Sequence, residues 1–119
     1  MPPSYRRLGN AGEEAAAVFL ERQGFRIVER NYVFAHGEID IIATEGDELV
    51  FVEVKLRRSG RFGSGVEAVT PRKQELLRRT AEGYVAQRGI ENVVCRFDVV
   101  SLESVRGKLE ITHLRNAFC

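Results

Sequence analysis

Apolar residues recur along the chain with two different spacings, and each spacing predicts a different kind of element. Spacings of three and four residues predict amphipathic helices, whereas short runs of β-branched and aromatic residues bounded by glycine predict strands. The helices are predicted at residues 10–23 and 71–88. The strands are predicted at residues 25–34, 38–44, 48–56, 93–103 and 108–114. The predicted element order is therefore α-β-β-β-α-β-β.

Local sequence signals mark the ends of the two predicted helices. Asn10 is suited to the N-cap of the first helix, and Gly24 to its C-terminal stop. Thr70 and Pro71 are suited to the N-cap and the first helical position of the second helix. Gly89 is placed to end that helix. We therefore expect both helices to begin and end at these positions.

The connections between the elements predict the sheet topology. Short turns join the first three strands, which we therefore expect to be antiparallel, and Gly46-Asp47 is a two-residue hairpin signal. A helix separates the third strand from the fourth, and this connection favours a right-handed parallel crossover. The fold class is thus α/β, with a mixed sheet flanked by helices in one domain of 119 residues. We expect residues 1–8 and 115–119 to be loosely ordered tails.

The predicted hairpin turn also sets the register of the second and third strands. With Gly46 and Asp47 as the turn, Asp40 lies opposite Glu53, and Glu38 lies opposite Lys55. These four side chains then share one face of the sheet, because side chains alternate along a strand. The opposite face is apolar and is expected to be core; it comprises Ile39, Ile41, Ala43, Val50, Val52 and Val54.

Two directly opposed carboxylates predict a bound cation. Like charges on neighbouring strands repel, which costs stability unless positive charge compensates. Lys55 supplies part of this charge, and a divalent metal that prefers oxygen ligands would supply the rest. The alternative is a solvated strand face with a Glu38–Lys55 ion pair. Glu53 and Lys55 interrupt an otherwise apolar strand, which favours the metal site, with Glu38 as a supporting residue.

Charge is unevenly distributed along the chain, and this predicts a polyanionic partner. Residues 55–79 carry eight basic and two acidic side chains, whereas residues 1–54 carry five basic and ten acidic ones. A basic block of this density is typical of a surface that binds nucleic acid.

The basic block contains specific candidates for phosphate contacts. Arg57, Arg58 and Arg61 lie in a glycine-rich segment that begins two residues after Lys55. Their alternative role is an ordinary solvated loop. Lys73 and Gln74, in the first turn of the second helix, are weaker candidates for nucleic-acid binding.

Several other classes of protein are excluded by what the sequence lacks. No apolar run approaches the roughly 18 residues of a membrane-spanning helix, and no signal-peptide pattern is present. Two cysteines make no disulfide framework. There is no P-loop, GxSxG motif or zinc-ligand spacing. We therefore expect a cytoplasmic protein without a membrane partner, in which Arg96 and Asp98 have a structural role.

Several short motifs together resemble one protein family. They are Gly9-x-x-Gly12-Glu13, Arg30-Asn31, Gly37-Glu38-Ile39-Asp40, Phe51-Val52-Glu53-Val54-Lys55-x-Arg57, Lys73 and Arg96-Phe97-Asp98-Val99. Over residues 9–103 the chain resembles the YraN-like bacterial proteins. That family is similar to the PD-(D/E)XK nucleases, especially archaeal Holliday junction resolvases. The resemblance implies a restriction-endonuclease-like αβββαβ core.

The resemblance also implies a role for each matching residue. Asp40 and Glu53, with the carbonyl of Val54, would bind Mg²⁺ or Mn²⁺. Lys55 would orient the attacking water or stabilise the pentavalent phosphate. Glu13 would be the additional acidic residue of resolvase-type sites, although a partner of the helix dipole is an equally good interpretation.

The sequence thus predicts a magnesium-dependent endonuclease that hydrolyses phosphodiester bonds in DNA, with branched or junction DNA as the suggested substrate. One alternative is a non-catalytic nucleic-acid-binding or DNA-repair accessory protein that keeps the nuclease fold. Another is a factor directed at RNA. The likeness to resolvases implies a homodimer, because a two-fold junction suits a two-fold enzyme.

Overall fold

Within residues 3–57 and 69–118, which the computed structural model describes, the chain forms two helices and five strands. They are α1 (Pro3–Arg22), β1 (Arg26–Phe34), β2 (Gly37–Glu45), β3 (Glu48–Arg57), α2 (Pro71–Arg88), β4 (Cys95–Val105) and β5 (Lys108–Phe118). This order confirms the predicted α/β fold class. None of the described helices is both long and apolar enough to cross a bilayer.

The strands form one mixed sheet in the order β1-β2-β3-β4-β5. β3 and β4 are parallel, and the other neighbouring strands are antiparallel. The predicted crossover is confirmed, because α2 connects the two parallel strands. The predicted hairpin register is also confirmed, since the pairs between β2 and β3 run from Glu45↔Glu48 to Ile41↔Val52.

Each face of the sheet packs against one helix. On one face, the α1 residues Ala16, Ala17 and Leu20 pack on apolar side chains of the central strands. On the other face, the α2 residues Leu77, Ala81 and Tyr84 form a second buried cluster. The central strands β2, β3 and β4 are therefore apolar on both faces, as the nearly continuous apolar run in β3 requires.

Helix α1 begins at Pro3, so the predicted start at Asn10 is wrong. Proline at a helix start loses no intrahelical hydrogen bond, and it is therefore compatible with this boundary. Gly9 and Gly12 weaken the helical signal in this segment, because glycine costs a helix about 1 kcal/mol relative to alanine. The sequence pattern consequently placed the boundary too late. The α2 boundaries are confirmed, with Thr70 as the N-cap and Gly89 in a left-handed conformation at the end.

Strand β5 continues to Phe118, so residues 115–118 belong to the sheet and the prediction of a loosely ordered tail there is wrong. Contacts with residues of other elements hold this segment. The Phe118 ring stacks on Phe97 with a centroid distance of 4.9 Å. The Arg115 guanidinium lies 2.6 Å from a Glu45 carboxylate oxygen, and the Asn116 N–H donates to Asp98 at 3.0 Å. These contacts come from distant residues, which sequence periodicity does not reveal.

Strand β2 changes the direction of its side chains near Asp40. Ile41 packs in the core cluster on the α1 side of the sheet, but Ile39 lies in the α2-side cluster with Tyr32, its partner in β1. Ile39 is buried as expected, but the prediction that it shares a face of the sheet with Ile41 is wrong. The backbone pairing of β2 with β3 stops at Ile41, and opposite this point Asn31 of β1 has a positive φ of 54°. Strict alternation fails because the strand departs from regular geometry here.

Candidate active site

The two predicted metal ligands lie together where β2 separates from β3. Asp40 Oδ2 accepts a hydrogen bond from the Val54 N–H at 2.8 Å, and the carboxyl groups of Asp40 and Glu53 are hydrogen-bonded to each other. The Glu53 side chain is only 6% exposed. The sequence-based expectation that Asp40 and Glu53 face each other agrees with this geometry.

The surroundings of Asp40 favour its protonated form. Burial is the largest cause, followed by the hydrogen bond to Glu53 and the negative charge of Glu53, and together they raise the pKa of Asp40 to about 8. The Val54 N–H acts in the opposite direction, because it stabilises the carboxylate. At neutral pH and without a cation, the Asp40 carboxyl group is thus mostly protonated.

Two lysines pair with the same oxygen of Glu53. Lys55 Nζ lies 3.7 Å from Glu53 Oε2, and Lys73 Nζ of α2 lies 3.4 Å from it. In the described parts of the chain, Lys55 forms no ion pair with Glu38, so the predicted Glu38–Lys55 pairing is wrong. Because β2 diverges from β3, Glu38 pairs with Val33 of β1 instead.

Glu13 reaches the same region from α1. Burial raises the pKa of Glu13, and the negative charges of Glu38 and Glu53 act in the same direction. Arg30 and a hydrogen bond with Asn31 oppose this shift and stabilise the carboxylate. Glu13 therefore has electrostatic contact with the site as well as a place in its helix.

The donor set fits a hard divalent cation. Carboxylate oxygens suit Mg²⁺ and Mn²⁺, and protein-bound Mg²⁺ often has only one or two carboxylate ligands and keeps several waters. Among the described residues, no three His, Cys, Asp or Glu side chains are grouped to hold a metal ion. The candidate ligands are thus the Asp40–Glu53 pair and the backbone carbonyl of Val54. Glu13 does not form a three-ligand group with them.

Comparison with known proteins places this chain in a family. The model for "Uncharacterised protein family UPF0102" matches residues 12–102. The chain belongs to UPF0102. This result confirms the resemblance to the YraN-like proteins, and the matched region includes Glu13, Asp40, Glu53 and Lys55.

Individual UPF0102 proteins are similar to this chain over almost their whole length. A UPF0102 protein of Symbiobacterium thermophilum is 53% identical over 114 residues, which cover 95% of this chain and 97% of the relative. One from Caldicellulosiruptor saccharolyticus is 48% identical, with 95% and 98% covered. One from Nitrosococcus oceani is 42% identical, with 98% and 95% covered.

The predicted phosphate-binding residues of this UPF0102 member do not all lie in the same environment. Lys73 is in the site, paired with Glu53. Gln74 Nε2 donates to the Val69 carbonyl at 2.9 Å and so supports the start of α2. Arg57 is the last residue of β3, next to the site. Arg58 and Arg61 lie outside the described residues.

Ser101 and the Arg30-Asn31 pair belong to the site region, although sequence reasoning assigned them no role. Ser101 aligns with Lys55 in the parallel β3–β4 pair and is 5% exposed, yet its Oγ has no hydrogen-bond partner among the described residues. Arg30 and Asn31 stabilise the charge of Glu13. Asparagine is uncommon inside strands, and this was the available signal for Asn31. The position of Ser101 depends on the parallel register, for which the sequence offers no signal.

Arg96 and Asp98 form a separate network at the other end of the sheet in this UPF0102 fold. Asp98 is fully buried and accepts from Arg96 Nε at 3.0 Å and from the Asn116 N–H at 3.0 Å, while His113 Nε2 lies 2.8 Å away. Burial alone would raise the pKa of Asp98, but these hydrogen bonds together outweigh it and lower that pKa. The expected structural role of Arg96 and Asp98 is confirmed.

Proposed function

We propose that this protein is a Mg²⁺- or Mn²⁺-dependent endonuclease that hydrolyses phosphodiester bonds in DNA. The observation that supports this most strongly is the hydrogen-bonded, buried Asp40–Glu53 pair, whose Glu53 lies beside two lysines. A pair of this kind is unfavourable for a scaffold, because two buried carboxyl groups in contact repel each other when both are ionised. It becomes favourable when a cation replaces the proton on Asp40.

Asp40, Glu53 and the Val54 carbonyl would hold the cation. When bound, the cation lowers the pKa of a coordinated water and neutralises charge that develops on the phosphate. Asp40 must lose its proton for the pair to act as a ligand set, so cation binding releases a proton. The Val54 N–H keeps Asp40 oriented in both protonation states, because it donates to Oδ2.

The two lysines provide positive charge at the position that the phosphate would occupy. Lys55 and Lys73 both contact Glu53 at distances of 3.4–3.7 Å, which are longer than tight ion pairs. Their ammonium groups are partly exposed and can turn to an incoming phosphate oxygen. Lys55 is then suited to orient the attacking water or to stabilise the charged transition state. The Ser101 hydroxyl, beside Lys55, can accept a hydrogen bond from it or from water.

The basic block at residues 55–79 supports a nucleic-acid substrate. Phosphate contacts from lysine and arginine supply most of the non-specific affinity for DNA. We propose DNA as the substrate, with branched or junction forms first, and RNA as the second choice. We also propose a homodimer, because a two-fold symmetric enzyme matches a junction in which two strands are cut.

A panel of nucleic acids tests the proposal. Wild type, Asp40→Asn and Glu21→Gln are purified in parallel and incubated with Mg²⁺ or Mn²⁺ and duplex, single-stranded, flap and four-way DNA, together with RNA equivalents. Glu21 is exposed on α1, so its substitution is the matched control for loss of one carboxylate. We expect wild type and Glu21→Gln to cleave at least one DNA substrate, and Asp40→Asn to cleave none. Equal cleavage by Asp40→Asn would indicate a contaminating nuclease.

A non-catalytic nucleic-acid-binding protein is the second candidate function. One observation favours it: Lys55 and Lys73 already balance the charge of Glu53 without a metal. This alternative predicts binding of DNA without cleavage in either metal. It also predicts no thermal stabilisation by Mg²⁺, because the site would have no affinity for the cation.

A further inference from the structure

A groove with a volume of about 610 Å³ lies next to the candidate active site, between the β1–β2 turn and the first turns of α2. We call it the cationic groove. Its polar lining residues are His36, Thr70, Arg72, Lys73, Glu75 and Arg79. The sequence names Lys73 as a nucleic-acid-binding candidate, whereas Arg72 and Arg79 enter its predictions only as members of the basic block at residues 55–79.

The charge in the cationic groove is predominantly positive. Glu75 is its acidic lining residue, and its two oxygens lie 3.3 Å from the guanidinium groups of Arg78 and Arg79. Arg72 forms no ion pair or hydrogen bond with the rest of the described chain. A guanidinium has a planar set of donors that matches the oxygens of a phosphate. The groove is therefore suited to an anion.

The position of the positive charges on α2 strengthens this assignment. Arg72 and Lys73 lie in the first turn, and that turn contains no acidic residue. Cations at a helix N-terminus are unfavourable, because the helix dipole is positive there. A bound anion would interact favourably with both the cations and the helix end. The N-terminal end of α2 thus favours anion binding, in addition to the cavity and its cationic lining.

Lys73 connects the cationic groove to the carboxylate pair. It lines the groove, and its Nζ lies 3.4 Å from Glu53 Oε2. A nucleic-acid strand carries one phosphate per nucleotide, with a charge every ~3.4 Å of helix axis. A strand with one phosphate at Asp40 and Glu53 would therefore bring a neighbouring phosphate to the groove.

We infer that the cationic groove binds a backbone phosphate adjacent to the scissile phosphate, on the same nucleic-acid strand. This inference rests on the proposed function and specifies how that function's substrate lies on the protein. Arg72 and Arg79 are the main contacts, and the strand passes over the N-terminal end of α2. His36, between β1 and β2, also lines the groove.

Salt-dependent DNA binding tests the inference without cleavage. Kd is measured in Ca²⁺ as a function of salt concentration for wild type and for three double variants. Arg72→Ala/Arg79→Ala removes the proposed contacts, and Arg72→Lys/Arg79→Lys keeps their charge. Arg22→Ala/Arg26→Ala removes two exposed arginines at the junction of α1 and β1, away from the groove, with the same change in net charge.

We expect the alanine variant in the groove to lower the log–log salt slope by about two, at about 0.9 per lost phosphate contact. The log–log salt slopes of the lysine variant and the remote variant should stay within about 0.5 of the wild-type slope, which corresponds to about half a phosphate contact. Thermal unfolding of each variant checks that the fold is intact. An unchanged slope for Arg72→Ala/Arg79→Ala, or an equal loss in the remote variant, would overturn the inference.

The same measurements separate this inference from the proposed function. If the wild type cleaves DNA but Arg72→Ala/Arg79→Ala keeps the wild-type salt slope, only the inference that the groove binds a phosphate is contradicted. If the groove variant shows the expected change in salt slope but the wild type cleaves nothing, only the proposed endonuclease activity is contradicted. A wild type that binds no nucleic acid contradicts both.

Discussion

The Asp40 carboxylate accepts a hydrogen bond from the Val54 backbone N–H at 2.8 Å, immediately beyond the last backbone pair between β2 and β3. The Asp40 side chain thus replaces a backbone carbonyl as the acceptor for the Val54 N–H at the point where the strands separate. This contact places a carboxylate in the opening between the strands, beside Glu53. The same residue therefore ends the backbone pairing of the two strands and supplies one of the two candidate metal ligands.

Asp40→Asn should remove cleavage and metal response while it leaves the fold intact. Asparagine is nearly isosteric, its carbonyl can still accept from Val54, and it places no negative charge beside Glu53 at any pH. Metal-free stability should therefore stay level or rise. Mg²⁺ should raise the melting temperature of wild type more than that of the variant, because binding stabilises the native state by mass action. Thermal unfolding with EDTA and with Mg²⁺ measures both effects.

DNA binding provides the control for Asp40→Asn. The basic residues are unchanged in this variant, so its Kd for DNA in Ca²⁺ should stay within a factor of about three of the wild-type value. Identical melting temperatures of both proteins in EDTA and Mg²⁺, with no cleavage by either, would support the non-catalytic alternative.

The raised pKa of Asp40 predicts how stability depends on pH. The ordinary pKa of an unfolded aspartate is about 3.9, whereas that of folded Asp40 is about 8. The native state therefore holds this proton more tightly, and without metal wild type should lose stability as pH rises from about 4 to 8. Asp40→Asn lacks this contribution. As pH rises over this range, the free energy of unfolding of the variant should thus increase, relative to that of wild type, by on the order of 1 kcal/mol or more.

Urea unfolding at pH 5 and pH 8 in EDTA measures this difference. The affinity for Mg²⁺ should change in the opposite direction and increase towards pH 8, because the cation must displace the proton. Parallel stability profiles for wild type and Asp40→Asn would show that Asp40 is ionised throughout. That result would contradict the raised pKa of Asp40.

Arg57 at the end of β3 and the two arginines that follow it in the sequence should contribute to binding more than to chemistry. We expect replacement of Arg57, Arg58 and Arg61 by alanine to weaken DNA binding and to flatten its salt dependence, by about one in the log–log slope for each lost contact. Single-turnover cleavage at saturating DNA should change little. The check is a set of salt titrations in Ca²⁺, and an unchanged slope would indicate an ordinary solvated loop.

Gly83 should be required for the packing of α2 on the sheet. A Cβ atom at this position would lie 2.5 Å from Cδ2 of the rigid Phe34 ring. Gly83→Ala should therefore destabilise the protein by about 1–3 kcal/mol, even though alanine is the better helix former. Glu82→Ala, at an exposed position of the same helix, is the matched control. Adding Phe34→Leu to Gly83→Ala should recover part of the loss, and urea unfolding measures each variant.

The sequence predicts the Asp40–Glu53 relationship because one local feature determines it. The Gly46-Asp47 turn sets the register, and the confirmed pairs continue it as far as Ile41 and Val52. Beyond that point the prediction fails for Glu38 and Ile39. The reason is physical: a side-chain acceptor replaces a backbone acceptor, and Asn31 has a left-handed conformation, so strict alternation no longer holds.

Other parts of the site depend on tertiary packing and have no local signal. Lys73 reaches Glu53 because α2 lies on one face of the sheet, and Glu13 approaches because α1 lies on the other. The sequence places both residues on helices but does not predict how those helices are oriented. Ser101 lies beside Lys55 because of the parallel register, which a long crossover leaves undetermined.

Paramagnetic broadening by Mn²⁺ tests most directly whether Asp40 and Glu53 form a metal centre, and it detects weak binding. Amide signals of ¹⁵N-labelled protein are followed while Mn²⁺ is added in substoichiometric amounts. The account predicts that the signals of Asp40, Glu53, Val54 and Lys55 broaden first, and that this selective broadening is lost in Asp40→Asn. Selective broadening at another acidic cluster, such as Glu45 and Glu48, or the same pattern in Asp40→Asn, would contradict it.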